Sequence, residues 1–195
     1  MAAQAQDRNR RAEPPDPAAT VLLTVECQRA VVGPDSALPE LAAQARASGA
    51  LTRIARLVAA AHATGVQRSC TPSPNAAPTA VPPPTARPRR SRSPRRTSSY
   101  DGYCTGCHPS MGTGLDALLR NLGCRTLIVT RVSANVAIPN AVFDAVNRGH
   151  RVVAPADAVA GVPADYVPAM IRHTLALVAT VTTTDEILSR LGHRR

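Results

Sequence analysis

The chain reads as an α/β protein built on a mostly parallel sheet. Two observations carry that expectation. Short aliphatic, β-branched runs recur without polar alternation, at Val21–Val25, Thr126–Thr130 and Arg151–Ala154. Such runs suit strands buried on both faces. Between them lie stretches with helical spacing, and strands alternating with helices imply a parallel sheet covered on both sides. Aromatic residues are only 2% of the 195, against 44% hydrophobic, so the core must be aliphatic.

Taken in order, residues 1–17 are polar, Pro-rich and charge-balanced, and are expected to form a disordered leader. The strand run from Ala19 to Val25 ends at Glu26-Cys27-Gln28, and Gly33-Pro34-Asp35-Ser36 marks a turn. Glu40 to Ala63 reads as one long helix, with Leu51, Ile54, Leu57 and Val58 on one face and Arg53 and Arg56 opposite. Gly65 stops it, and Val66–Cys70 starts a second strand.

Thr71–Thr97 then holds eight Pro and six Arg and shows no period. Proline fixes φ and removes a donor, which excludes a helix interior or a central strand. The segment 71–108 is expected to be disordered, interrupting a domain that spans 18–192. Pattern returns near Gly112, where Thr113 is placed to cap a helix through Leu122 that Gly123 ends. After the Thr126–Thr130 strand, Ala137–Asn147 reads as a helix, with Pro139 in its first turn. Val142 and Phe143 are expected in the core. Pro163 to about Leu177 is a further helix and Val178–Thr182 a strand. Thr183 and Glu186 have capping-box spacing at the start of the last helix.

The formal net charge is +10, and all 23 basic residues are Arg. Arg68–Arg96 holds seven of them and no acid, so removing that segment leaves +3. The basicity belongs to one segment and not to the fold. No run of ~18 apolar residues is present, which argues against a membrane span. The N-terminus lacks an apolar stretch of signal-peptide type. Five Cys, an odd number, suggest free thiols and a cytoplasmic location.

Four segments, in order, carry a resemblance. Val21-Leu22-Leu23-Thr24-Val25-Glu26-Cys27-Gln28 is a strand ending in an acid followed by x-Gln. Thr113 to Gly123 leads into Thr126–Thr130. Val132-Ser133-Ala134-Asn135-Val136-Ala137-Ile138-Pro139 precedes Asp144-Ala145 and Gly149. Val152-Val153-Ala154-Pro155-Ala156-Asp157-Ala158 closes the set. Over roughly 18–70 and 109–192 the chain resembles the isochorismatase-like cysteine hydrolases.

That resemblance implies a three-layer α/β sandwich with its site at the carboxyl ends of the strands. It implies a Cys nucleophile, an acid ending the first strand, and a Lys. A thiolate attacks a carbonyl, the carboxylate accepts the thiol proton, and a cation favours the charged form. Here Glu26 holds the acid position, and Ala137 holds the nucleophile position. No Lys exists anywhere in the chain. Ser133 and Asn135 would lie in the pocket turn, and a cis peptide is implied at Val132–Ser133. Arg131 stands where the family usually has Gly.

A methyl group cannot attack a carbonyl, so the expectation is a degenerate family member with weak or no hydrolase activity. One alternative keeps chemistry without a thiol. Glu26 would serve as the acid in vinyl-ether hydrolysis of the isochorismate type. Another is polyanion or nucleic-acid binding through Arg87–Arg96, by phosphate contacts and without interleaved aromatics. The partners expected are a small-molecule substrate and further copies of the chain, with no membrane.

Cys104-Thr105-Gly106-Cys107-His108 fits the haem-attachment pattern and half of a zinc site, but has no paired ligands at recognisable spacing. No metal and no cofactor are therefore expected. Finally, the composition of 71–108 breaks so sharply from its flanks that a shifted reading frame is the simplest source of it. The family would place a third strand and its Lys there.

Overall fold

The computed structural model describes residues 16–27, 29–71 and 114–192. The expectations for residues 1–15, for the Pro/Arg-rich run from residue 72, for Thr113 and for the Cys104–His108 motif lie outside these. Asp16, placed in the leader by sequence, accepts from the Ala18 amide at 3.0 Å and opens a 3-10 turn at Pro17–Ala19.

The strands are β1 (Thr20–Val25), β2 (Gln67–Thr71), β3 (Thr126–Val132), β4 (Arg151–Pro155), β5 (Val159–Ala160) and β6 (Thr180–Thr182). They form one parallel sheet in the order β2-β1-β3-β4-β6, with β5 beside the end of β3. The expected α/β sandwich around a parallel sheet is what the chain adopts. The short β5 has no counterpart in the sequence reading, because two residues leave no periodicity to detect.

Helices flank both faces. On the way from β1 to β2 run α1 (Arg29–Val32), α2 (Pro39–Ala47) and α3 (Ala50–Thr64). Then come α4 (Leu115–Asn121) and α5 (Ala137–Asn147). α6 (Tyr166–Met170), a π-helical turn at Ile171–Leu175 and α7 (Ala176–Val178) follow, and α8 (Thr184–Gly192) is last. The single helix expected over Glu40–Ala63 is two helices. Gly49 adopts φ +72° between them, a left-handed conformation that ends α2 and that a glycine reaches at little cost. The helix expected over Pro163–Leu177 starts three residues later and passes through the π turn.

Alternation along the strands sorts the core. Val21, Leu23, Val25, Leu127, Val129 and Val152 face α4, α5 and the α6–α7 helices. Leu22, Ile128 and Val153 face α3 and α8. A smaller cluster of Val31, Leu41, Ala45, Ala50, Val132 and Ala160 lies where α1–α3 meet the carboxyl end of the sheet. On α5, Ile138, Ala141, Val142 and Ala145 point inward. Phe143 does not: it is 39% exposed, which corrects the sequence reading. Five residues on from Ile138, it is rotated by about 140° on a 3.6-residue helix, away from the sheet.

The start of α8 is tied down from a distance. The Asp157 carboxylate accepts from the Thr184 amide at 2.8 Å and from its hydroxyl at 3.0 Å, while its other oxygen pairs with Arg53 at 3.2 Å. One acid thus joins α3, the turn after β4 and α8. The Thr183 hydroxyl accepts from the Glu186 amide at 3.3 Å, as capping-box spacing requires. Glu186 itself takes the Thr182 hydroxyl. Asp157→Ala is expected to cost about 1–2 kcal/mol in urea unfolding, the scale of a lost charged hydrogen bond that is half open to water. Asp185→Ala breaks an exposed pair with Arg56 and should cost less than about 0.5 kcal/mol. Equal losses would show that the junction at Asp157 does not organise α8.

Candidate active site

The parallel register brings the expected site residues to one edge. Val25 lies opposite Arg131, and Arg131 and Val132 lie opposite Val159 and Ala160. Glu26, the Ser133–Val136 turn and the exit from β5 therefore sit side by side at the carboxyl end. Open α/β sheets place ligands at this end.

Glu26 follows β1 directly and holds φ +56°, the one non-glycine residue with positive φ among those described. It is half-buried. Cys27, next to it, turns away: its Sγ contacts the Val25 carbonyl at 3.4 Å, and its side chain packs against the α3–α8 cluster. It is not placed as a substitute nucleophile at the start of α5.

The turn after β3 is held by the β5 exit. The Ala134 amide donates to the Ala160 carbonyl at 2.9 Å. The Asn135 amide nitrogen donates to the Val162 carbonyl at 2.7 Å, and its oxygen accepts from the Val162 amide at 3.3 Å. Gly161 lies inside this clasp. A Cβ there would come within 2.6 Å of the Asn135 side-chain oxygen and 2.7 Å of the Ala134 methyl. Among the described residues the cis peptide is Val162–Pro163, a proline bond, and not the Val132–Ser133 bond that the resemblance implied.

Ala137 is the first residue of α5 and is buried at 5% exposure. The residue that the resemblance sets at the nucleophile position is thus a buried alanine that starts α5. Beside the turn opens a cleft of about 490 Å³, lined by Ser133, Asn135 and Val162 on one side and by Leu38, Glu40 and Leu41 of the α2 start on the other. The structure thus brings Ser133 and Asn135 together in one wall, with Glu26 and Ala137 at the same sheet edge. The α2 residues were missed from sequence. They lie about a hundred positions from the turn, and nothing in their pattern marks them. Among the described residues no three metal-ligating side chains gather. No helix there is long and apolar enough to cross a membrane.

Comparison with known proteins agrees with this architecture. The isochorismatase domain model matches residues 20–186, so the chain belongs to the isochorismatase family. Among solved structures, a cysteine hydrolase from Pseudomonas syringae pv. phaseolicola superposes with a TM-score of 0.72 at 21% identity, covering 92% of this chain and 95% of that one. A hydrolase of the isochorismatase family from Chromobacterium violaceum gives a TM-score of 0.64 at 26% identity, covering 90% and 94%. The nicotinamidase of Staphylococcus aureus gives 0.63 at 16% identity, covering 84% and 99%. No curated protein matches the chain by sequence.

Two expected outcomes follow. Gly161→Ala should destabilise the chain by about 1–3 kcal/mol, the cost of overpacking, because its methyl would displace the Asn135 clasp. Thermal unfolding within about 0.3 kcal/mol of the unchanged chain would refute the clasp. Burial pushes the Cys124 thiol from 9.0 up to about 11. Cys124 should therefore resist alkylation at pH 8 while the half-buried Cys27 reacts, as peptide mass spectrometry would show. The folded state holds that proton longer than the unfolded chain does, so stability should fall as pH rises from about 9 towards 11.

Proposed function

We propose that this family member binds a small molecule in the carboxyl-end cleft but has weak or no thiol-dependent hydrolase activity. The observation that carries this reading is Ala137, buried at the first residue of α5. Acyl transfer by this family's usual route needs a nucleophile there. The chain offers a methyl group, and it has no Lys to favour a thiolate. With nicotinamide as a test amide, ammonia release should stay at the buffer level. Release above that level, lost when Cys27 is changed to Ser, would overturn the proposal.

A second reading is favoured by Glu26, a long-chain acid held in the left-handed region at the sheet edge. Non-glycine residues rarely sit there, and such conformations gather at functional sites. In this reading Glu26 protonates the methylene carbon of an enol ether. Water adds to the resulting oxocarbenium carbon, and collapse of the hemiketal releases pyruvate and an alcohol. Pyruvate release from isochorismate should then fall at least about a hundredfold in Glu26→Gln, the usual scale of general acid catalysis. Release unchanged by that substitution would dismiss Glu26 as the acid.

The segment 71–108 is proposed to derive from a shifted reading frame. In support, β2 is the terminal strand of the sheet among the described residues, so the side on which a further strand would pair lies next to that segment in sequence. Resequencing the coding DNA across residues 66–112 tests this, and the frame as written in source DNA would refute it.

A further inference from the structure

The opposite end of the sheet carries a second, larger cleft. Its volume is about 780 Å³, within the range of small-molecule sites. Arg120, Arg125, Arg148, His150 and Arg151 line it, with Asp16 as the acid among its lining residues. This concentration is not a by-product of general basicity: the described residues hold twelve Arg against ten acids.

The strand register builds it. The Arg125 amide donates to the Ala19 carbonyl at 2.9 Å, and the Arg151 amide donates to the Arg125 carbonyl at 2.8 Å. Arg125 thus immediately precedes β3, one residue ahead of the level at which Arg151 starts β4. Arg120 and Arg148 come from the ends of α4 and α5 above them. Their presence is not demanded by helix capping. The last carbonyls of α4 already accept from the amides of Leu122, Gly123 and Cys124, and those of α5 from Arg148, Gly149 and His150.

Arg120, Arg125 and Arg148 are oriented but not used up. Arg120 pairs with Asp116 at 3.0 Å, Arg125 with Asp16 at 2.9 Å, and Arg148 with Asp144 at 2.9 Å and Asp116 at 3.5 Å. The Arg120 hydrogen bond, joined by the fields of Arg120, Arg148 and His150, holds the Asp116 carboxyl below its usual range. Each guanidinium has five N–H donors, and these pairs occupy one or two of them. The Arg120 and Arg125 pairs are exposed and therefore weak, the Arg148 pairs are more buried, and a phosphate offers several acceptor oxygens to converging forks.

We propose that this amino-end cleft is a binding site for a phosphate-bearing small molecule, separate from the family's site at the other end of the sheet. The test is calorimetric titration of the full chain with inorganic pyrophosphate at low salt. A chain with Arg125→Gln and Arg151→Gln should bind about tenfold more weakly, as loss of two charge-assisted contacts implies. A chain with the six arginines of residues 87–96 changed to Gln should bind within about twofold of the unchanged protein. Absence of binding, binding indifferent to the cleft substitutions, or binding lost with residues 87–96 would each overturn the proposal. Both substituted cleft arginines are exposed, so the fold should tolerate their loss. NMR on the unchanged chain gives an independent reading: the His150 ring signals, assigned with His150→Asn, should shift on adding pyrophosphate. Unmoved signals would place any binding elsewhere.

Discussion

The structure depends on the three-strand parallel ladder of β1, β3 and β4. Thr20 pairs with Thr126, and Thr126 with Arg151, so the strands begin level with one another. A slip of one residue would turn Leu22 and Ile128 into the opposite layer, so the separate packing of the two layers holds that register. Everything functional follows from the level alignment. One end of the ladder gathers Glu26, the Asn135 turn and the α5 start; the other gathers the arginines. A side chain at either end is positioned by strands buried on both faces, which gives the loops a rigid base.

In the proposed reading the family's chemistry fails here at the nucleophile position and at the Lys, which the chain lacks. The scaffold that would present a nucleophile is intact: β3 runs to the turn, the turn is clasped, and α5 starts at the expected residue. What the proposal turns on is the side chain at that residue, Ala137. Ala137 is buried, as are Ile138 and Ala141 on the same helix. Under that proposal the scaffold would still accommodate a ligand without its nucleophile, since fold and chemistry are separable properties.

How much was legible in the sequence differs by element. α5 was read with its observed ends because Pro139 fits only the first turn and Gly149 follows the last. Both faces of the core were legible for the strands, where the period is two. Gly49 was hidden, because one glycine in a helical pattern looks tolerable until its φ is known. Phe143 was misplaced by its chemistry: a large apolar side chain suggests a core, while its angular position on α5 settles that it faces out. At the candidate site, Glu26 and Ala137 were located only by likeness to a family. The Leu38–Leu41 wall and the Asn135–Val162 clasp are products of tertiary approach between distant segments, which no local pattern encodes.

That clasp has a mechanical consequence. Asn135 grips both the amide and the carbonyl of one residue, Val162, and Ala134 holds Ala160 just before it. The turn that walls the cleft and the segment leaving β5 are thereby fastened into one body, and Gly161 leaves no slack between them. Displacing Ser133 then drags the route toward α6 along with it. Occupancy of the cleft, whose wall Val162 shares, becomes legible in how quickly the Val162 amide trades its hydrogen with water.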